Sequence, residues 1–97
     1  MRIRNVVVGR LHPGVPREAV EEALGAIVAL NPDGCLAVHV GIDAGLRPGN
    51  GDFAITSDFA DAEFYRRYDA DPEHNRVRTE MFAPICRDIV RIQFPLD

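Results

Sequence analysis

The segment Tyr68-Asp69-Ala70-Asp71-Pro72-Glu73-His74 joins two helices in the second half of the chain. Asp71 is a favourable N-cap, and Pro72 occupies the first helical position, where the missing N–H has no partner to lose. One helix therefore ends within the segment and another begins there. His74 becomes the third residue of the second helix, and we expect it to lie close to Tyr68, near the end of the first.

The two flanking helices are amphipathic. Asp61 is a good N-cap for the first, and its aromatic residues share one face through i, i+4 spacing, whereas its charged residues face water. These aromatic residues are Phe64, Tyr65 and Tyr68. In the second helix, Val77 and Met81 follow His74 by three and seven residues, which predicts one inward-facing stripe. This helix is expected to end near Pro84.

The rest of the chain has the pattern of four strands and one further helix. The predicted strands are 2–11, 35–43, 52–59 and 86–94, and the predicted helix is 16–30 with Pro16 at its first position. The order strand, helix, strand, strand, helix, strand is the split βαβ, or ferredoxin-like, arrangement. We therefore predict a single α+β domain over residues 1–97, with a four-stranded antiparallel sheet and all helices on one face.

Helices on one face leave the other face of the sheet uncovered. A chain of 97 residues forms one domain with a modest core and cannot cover both faces. The uncovered face is predicted to be apolar in either parity, and its expected residues are Val6, Val8, Val38, Val40, Ala54 and Thr56. Because such a surface is unfavourable in water, we predict a homodimer in which two sheets face each other and close a barrel. His39 is interpreted as a packed or interface residue.

Charge argues against nucleic acid as a partner. The chain has 11 Lys plus Arg and 15 Asp plus Glu, so its net charge of −4 repels a phosphate backbone on average. The arginines are scattered along the sequence and form no basic stripe. An RNA-binding module of ferredoxin-like topology is further disfavoured because the sheet lacks exposed aromatic residues for base stacking.

The sequence carries no signature of a metal site, a disulfide or a membrane segment. Cys35 and Cys86 stand far apart in predicted strands without CxxC or clustered His/Cys spacing, so we interpret both as small buried thiols. No apolar run approaches the roughly 18 residues that span a bilayer. The start Met1-Arg2-Ile3-Arg4 leads into a strand rather than a signal sequence. We expect a cytosolic protein without a metal or cofactor.

Four short motifs carry a resemblance to a known family. They are the opening run 3–8, Gly41-Ile42-Asp43, the step at 58–61, and above all Tyr68 followed by Asp71-Pro72-Glu73-His74. Together they resemble the stress-responsive α/β barrel, or Dabb, domain, over nearly the whole chain. The resemblance implies a ferredoxin-like homodimer that forms a dimeric α/β barrel.

The resemblance also implies roles for particular residues. In a plant member of the family that closes a polyketide ring, the tyrosine and histidine of the same segment act on the substrate, and they match Tyr68 and His74. Asn5 stands where that enzyme has a histidine, and Ile27 stands where it has an aromatic hydroxyl. The chain therefore shares part of the cyclase site and departs from it at two positions.

Tyr68 and His74 are the candidate catalytic residues. A histidine in the first turn of a helix feels the positive end of the helix dipole, which favours the neutral base near pH 7. Tyr68 can then donate a hydrogen bond to a carbonyl or enolate oxygen, as proton abstraction next to a carbonyl requires. The residues predicted to bind a ligand between helices and sheet are Asn5, Val7, Phe53, Ile55, Phe64, Val77 and Met81.

Several functions are open at this point. The first is binding of a small apolar organic molecule without turnover, and the second is a polyketide cyclase-like enzyme that performs an aldol-type ring closure. The third is an antibiotic-biosynthesis-type monooxygenase, for which the chain has neither tryptophan nor a cofactor motif. In a purely structural alternative, His74 hydrogen-bonds the backbone at the break and Tyr68 packs its ring with a solvated hydroxyl.

Overall fold

The computed structural model describes all residues 1–97. Its elements in chain order are β1 (Ile3–Leu11), α1 (Arg17–Ala29), β2 (Cys35–Ile42), β3 (Phe53–Phe59), α2 (Ala62–Ala70), α3 (Pro72–Val77), a π-helical turn (Arg78–Phe82) and β4 (Cys86–Pro95). The order agrees with the sequence prediction, and the boundaries differ by one or two residues. None of the helices has the length and apolar character that crossing a membrane requires.

The four strands form one antiparallel sheet in the order β2-β3-β1-β4. The predicted ferredoxin-like arrangement is thereby confirmed. β1 lies inside the sheet, and its middle residues pair on both sides: Asn5 lies opposite Ser57 and Gln93, and Val7 lies opposite Ile55 and Arg91. Because cross-strand partners share a face, this register sets which side chains of three strands point toward the helices.

The register corrects the prediction for β2. Val38 pairs with Ser57 and Val40 with Ile55, so both valines lie on the face that the helices cover rather than on the uncovered face. Val38 packs against the core. The alternation along β2 was predicted correctly, but one strand alone cannot show which parity faces the helices. The more apolar parity does so here, and His39 lies on the other face, opposite Thr56.

Helix α1 begins one residue later than predicted. Pro16 has an extended backbone and is the N-cap, and the first helical residue is Arg17. After the helix, the chain turns through Gly34, whose φ of 75° lies in the left-handed region that glycine adopts readily. The ring of Phe64 packs directly over Gly34, so that any side chain at this position would overlap it. Both the backbone angle and the lack of space beside Phe64 therefore require glycine at this position.

Asp71 forms the corner between α2 and α3, as predicted. Its backbone N–H donates to the carbonyl of Tyr68 at the end of α2, and its carboxylate accepts from the backbone N–H of His74 at 3.0 Å. Its own backbone is extended, the conformation that a following proline favours. One residue thus terminates one helix and starts the next.

The π-helical turn changes which residues face inward after α3. A π turn accommodates one more residue than an α turn, so the inward position passes to a later residue than α-helical spacing predicts. Phe82 takes it and is 3% exposed, with its ring centroid 5.6 Å from that of Phe53. Met81, which the sequence placed on the inward stripe, packs only at the margin of the core.

The core lies between α1, the α3 region and the inner face of the sheet. Its fully buried members are Val20, Ala23, Leu24, Ile27, Phe53, Ile55, Val77 and Phe82. On the opposite face of the sheet no helix packs, and large apolar side chains are exposed there. Val90 is 68% exposed, Ile92 58% and Val8 39%. The sheet is therefore apolar on both faces, as predicted, and only one face is covered within the chain.

Two glycines allow a matched test of this packing. Gly9 is buried on β1, and a Cβ there would overlap the ring of Phe53, so Gly9→Ala should force the ring out of a closely packed core. We expect a loss of about 1–3 kcal/mol in the free energy of unfolding, measured by urea denaturation at a fixed protein concentration.

Gly25→Ala is the control, because Gly25 is an exposed position in α1 with open space around it. It should stabilise the protein by up to about 1 kcal/mol. Equal effects of the two changes would contradict this packing.

Candidate functional site

Tyr68 and His74 lie in contact. Their ring centroids are 4.0 Å apart with an interplanar angle of 32°, and each residue is 7% exposed. The Asp71 corner brings them together by directing α3 back across the end of α2. Phe59 also packs against Tyr68, with ring centroids 5.2 Å apart. Tyr68 therefore contacts both Phe59 and His74.

His74 is buried with part of its hydrogen-bonding capacity unused. Its Nδ1 atom has no hydrogen-bond partner and is the only such buried side-chain nitrogen or oxygen in the chain. Buried polar atoms are usually satisfied, so an orphaned one requires an explanation. The His74 ring also lies near the backbone carbonyl of Asp69, a contact of the kind that the backbone-bonding alternative describes. The backbone N–H of His74 donates to the Asp71 carboxylate.

The environment of His74 favours its neutral form. Burial lowers the pKa of the imidazole below its ordinary value, and the nearby positive charge of Arg78 lowers it further. The carboxylate and the backbone carbonyl of Asp69, and the carboxylate of Asp71, oppose the lowering of this pKa without reversing it. The sequence predicted a neutral histidine from the helix dipole. The structure assigns the main cause to burial, in a helix of only six residues.

Tyr68 is held in its protonated form. Burial raises the pKa of its hydroxyl far above the ordinary value, with a smaller contribution from the nearby negative charge of Asp69. A tyrosine in this state donates a hydrogen bond and does not act as a base. Together with a neutral His74, it forms a pair in which one group accepts a proton and the other supplies a hydrogen bond.

A pocket of about 50 Å³ adjoins this pair. It lies between the sheet and the α2 and α3 region. Its lining consists of Asn5, Val7, Ile27, Ile55, Tyr65, Tyr68, Asp69, His74, Arg78, Phe82, Ile89 and Arg91. A buried water molecule needs about 10–15 Å³, so the pocket has room for roughly three or four non-hydrogen atoms.

Five of the residues predicted at the site line this pocket: Asn5, Val7, Ile55, Tyr68 and His74. Asn5 is 5% exposed, and its Oδ1 accepts a hydrogen bond from Gln93 Nε2 at 2.8 Å. The Nδ2 group of Asn5 makes no hydrogen bond within the chain and remains available as a donor.

Four residues that the sequence placed at the site lie outside the pocket. Phe53 and Val77 are each 2% exposed and belong to the closed core. Met81 is displaced by the π-helical turn, which brings Phe82 to the pocket in its place. Phe64 packs on Gly34, and the guanidinium of Arg67 lies over its ring at 5.3 Å from the centroid. The i, i+4 spacing of Phe64 and Tyr68 places them on one face of the helix, but it does not show that both line the same cavity.

Three charged residues of the pocket were not predicted: Asp69, Arg78 and Arg91. Arg78 follows His74 by four residues, which is one helical turn, and this spacing is readable in the sequence. Arg91 alternates with Val90 and Ile92, which places it on the helix side of β4 once the pairing with Val7 is known. The spacing of Arg78 from His74 and the alternation around Arg91 are both visible in the sequence. Only the strand register shows that Arg91 lies near His74.

Tyr68 also lines a second, larger pocket. This pocket has a volume of about 170 Å³ and lies between the end of α1 and the strands β2 and β3. Its walls include Cys35, Val38 and Ser57, and no other residue of the Tyr68–His74 pocket except Ile27 belongs to it. No three histidine, cysteine, aspartate or glutamate side chains come together anywhere in the chain to hold a metal ion.

Comparison with known proteins agrees with this architecture. The family model described as the stress responsive A/B barrel domain, Dabb, matches residues 3–96. A dimeric ferredoxin-like protein of unknown function from Thermobifida fusca is 31% identical and superimposes with a TM-score of 0.90, covering 99% of this chain and 92% of that chain. No protein with a curated description matches the sequence.

Two more distant structures share the fold. A Dabb family protein from Mesorhizobium loti is 21% identical, with a TM-score of 0.79 over 99% of this chain and 98% of that chain. The hydroxynitrile lyase from Passiflora edulis is 18% identical, with a TM-score of 0.86 over 99% of this chain and 94% of that chain. At these identities the likeness shows the fold alone.

The chain belongs to the stress-responsive A/B barrel domain family. The match extends over nearly its whole length, and it includes the segment from Tyr68 to His74. The resemblance that the sequence motifs indicated is therefore confirmed, as is the ferredoxin-like fold.

The buried neutral histidine predicts a dependence of stability on pH. Because the pKa of His74 is lower in the folded chain than in the unfolded chain, the unfolded chain binds a proton first as the pH falls. This contribution to stability is complete above about pH 6.5 and is lost as the pH falls through that value toward the folded-state pKa. We expect His74→Gln to remove this loss, measured as the free energy of unfolding between pH 5 and 7.5. A constant difference between the two proteins over that range would contradict it.

Proposed function

We propose that this chain forms a homodimer and binds a small organic molecule in the pocket beside Tyr68 and His74. One observation carries the proposal: His74, whose Nδ1 atom is buried without a partner, lines together with Tyr68 a pocket whose walls are largely apolar. A ligand oxygen or hydroxyl placed there would satisfy the orphaned nitrogen. Small-molecule sites commonly combine apolar walls with a few polar groups that fix orientation.

The volume of the pocket limits the ligand. With room for roughly three or four non-hydrogen atoms, it accepts the end of a small molecule rather than a whole polyketide. Val7, Ile27 and Ile55 provide the apolar walls, and Tyr68 and His74 line the pocket from the helices. A short ketone, aldehyde or alcohol fits this combination of size and polarity.

Dimer formation through the uncovered sheet face is the second part of the proposal. Val8, Val90 and Ile92 lie together on that face by strand pairing and are exposed in the single chain. Burying such a surface against a second copy is favourable at about 25 cal/mol per Å² of apolar area. The relative from Thermobifida fusca is described as dimeric and ferredoxin-like, which supports the same assembly here. His39 would then lie in the interface.

The proposal includes a cytosolic location. Cys35 and Cys86 are both free and partly buried, and burial raises the pKa of each thiol. Unpaired thiols of this kind suit a reducing compartment.

Two valines of similar exposure test the assembly. Val8 on the uncovered sheet face is 39% exposed and Val28 on α1 is 41% exposed. Val8→Glu places a charge in the proposed interface, so it should convert the dimer to a monomer in light scattering at micromolar concentration. Val28→Glu should leave the dimer intact. A wild-type chain that is monomeric at high concentration, or a Val8→Glu variant that stays dimeric, would contradict the proposed assembly.

A second candidate function is proton transfer on the bound molecule. The neutral His74 and the protonated Tyr68 favour it, because a base and a hydrogen-bond donor adjoin the same small pocket. His74 would remove a proton next to a carbonyl, and Tyr68 would donate a hydrogen bond to the developing oxyanion. The polyketide cyclase reaction belongs to this class. So does cleavage of a small hydroxynitrile, in which loss of the hydroxyl proton accompanies release of cyanide.

Tyrosine fluorescence gives a direct assay of ligand binding. The chain has no tryptophan, and its only two tyrosines, Tyr65 and Tyr68, both line the pocket. Titration with 2,4-pentanedione or acetone cyanohydrin should change their emission in a saturable way. His74→Phe should abolish the change by filling the pocket, whereas His12→Phe, at an exposed turn, should leave it unaltered. An unchanged titration in folded His74→Phe would remove the proposed site.

The same two compounds separate binding from catalysis. Consumption of the cyanohydrin, or deuterium exchange of the diketone above the buffer rate, would establish turnover. Removal of a general base typically costs 10²–10⁴-fold in rate, so His74→Ala should abolish such activity. Tyr68→Phe should weaken it. Saturable binding without turnover supports the ligand-binding function, and turnover that survives in His74→Ala excludes His74 as the base.

A further inference from the structure

Two arginines line the pocket that contains the Tyr68–His74 pair. Arg78 comes from the π-helical turn and Arg91 from the edge strand β4, so the two cations reach the pocket from different elements. Only one carboxylate, that of Asp69, lines the pocket with them. The pocket of an acidic protein with a net charge of −4 is thus locally positive.

Neither arginine is fully engaged within the chain. Arg91 forms no ion pair and no side-chain hydrogen bond, although eight other arginines of the chain do form ion pairs. Arg78 pairs with Asp69 at 3.8 Å, which exceeds hydrogen-bond length, and both side chains are about half exposed. Ion pairs of this kind contribute little to stability. Both guanidinium groups therefore have donors available for an external anion.

The two arginines also line a neighbouring groove. This groove of about 240 Å³ adjoins the pocket between the π-helical turn and β4. Pocket and groove share four lining residues, which are Arg78, Phe82, Ile89 and Arg91. The arginines thus border both the inner chamber of about 50 Å³ and the outer groove. A molecule that occupies both spaces therefore lies beside both arginines.

We propose that Arg78 and Arg91 bind the carboxylate of a short-chain organic acid whose apolar end enters the chamber beside His74. The proposal rests on the small-molecule function above and names its ligand class. Arginine presents several N–H donors in a planar arrangement that matches a carboxylate, and such charge-assisted hydrogen bonds are stronger than neutral ones. The apolar walls at Val7, Ile27 and Ile55 accept a tail of three or four carbon atoms.

The site has a charged part at the two arginines and an apolar part in the chamber, and a short organic acid matches both. A free inorganic anion satisfies the arginines but leaves the apolar chamber empty. A neutral molecule fills the chamber but leaves both guanidinium groups unpaired. A short acid does both, and its carbon next to the carboxylate then lies between the arginines and His74.

Butyrate and butyramide provide the test, because they have the same carbon chain and differ in charge. Binding to the full-length protein is measured by tyrosine fluorescence. Butyrate should bind about tenfold more tightly, the difference expected for charge-assisted hydrogen bonds. Arg91→Gln and Arg78→Gln should each reduce that preference several-fold. Arg87→Gln is the matched control on β4, since Arg87 lines neither the pocket nor the groove. High salt should weaken the binding of butyrate alone.

The outcomes separate this inference from the proposed function. Butyramide binding as tightly as butyrate would overturn the acid proposal while leaving a functional small-molecule pocket. An unchanged preference in both arginine variants would also overturn it, as would displacement of butyrate by inorganic phosphate at equal concentration. Failure of butyrate and butyramide to bind, together with failure of the two neutral probes, would remove the small-molecule function itself.

Discussion

The corner at Asp71 is the constraint on which the candidate site depends. Its carboxylate accepts the His74 N–H, its backbone N–H closes the end of α2, and the following proline keeps its backbone extended. Two helices therefore meet at one residue without a loop. As a result His74 is pressed against Tyr68, and the stacked pair is buried over the sheet. A longer connection would leave these two rings free to separate.

Burial then determines the chemistry of the pair. A histidine with an unpaired Nδ1 in an apolar setting is held neutral, and a buried tyrosine is held protonated. The nearby cation of Arg78 acts in the same direction on the histidine, and it also lies where an anionic ligand would enter. The same residue thus influences the state of the base and the charge of the ligand that the pocket favours.

Most of the fold was predictable because local and global signals agree. Alternation in the strands, the caps at Asp61 and Asp71, and the proline at Pro72 each point to the observed elements. The Tyr68–His74 contact was predictable for the same reason, since it depends on residues only six positions apart. The sequence could not show which face of β2 points toward the helices, because alternation within one strand does not show which side the helices cover. The pairing of β2 with β3 determines which of its side chains face the helices.

Other parts of the site depend on contacts distant in sequence. The π-helical turn exchanges Met81 for Phe82, and periodicity counted at 3.6 residues per turn does not detect it. Arg91 reaches the pocket only through the pairing of β4 with β1. The cause of the neutral histidine also differs from the expected one, because burial has a larger effect than the dipole of a six-residue helix.

Nitrogen-15 chemical shifts of the His74 ring, recorded from pH 5 to 8, test the central claim most directly. A midpoint below about 6.5, together with nuclear Overhauser contacts between the His74 and Tyr68 rings, is the expected result. A midpoint at or above that value, or a ring without contact to Tyr68, would contradict the buried neutral pair.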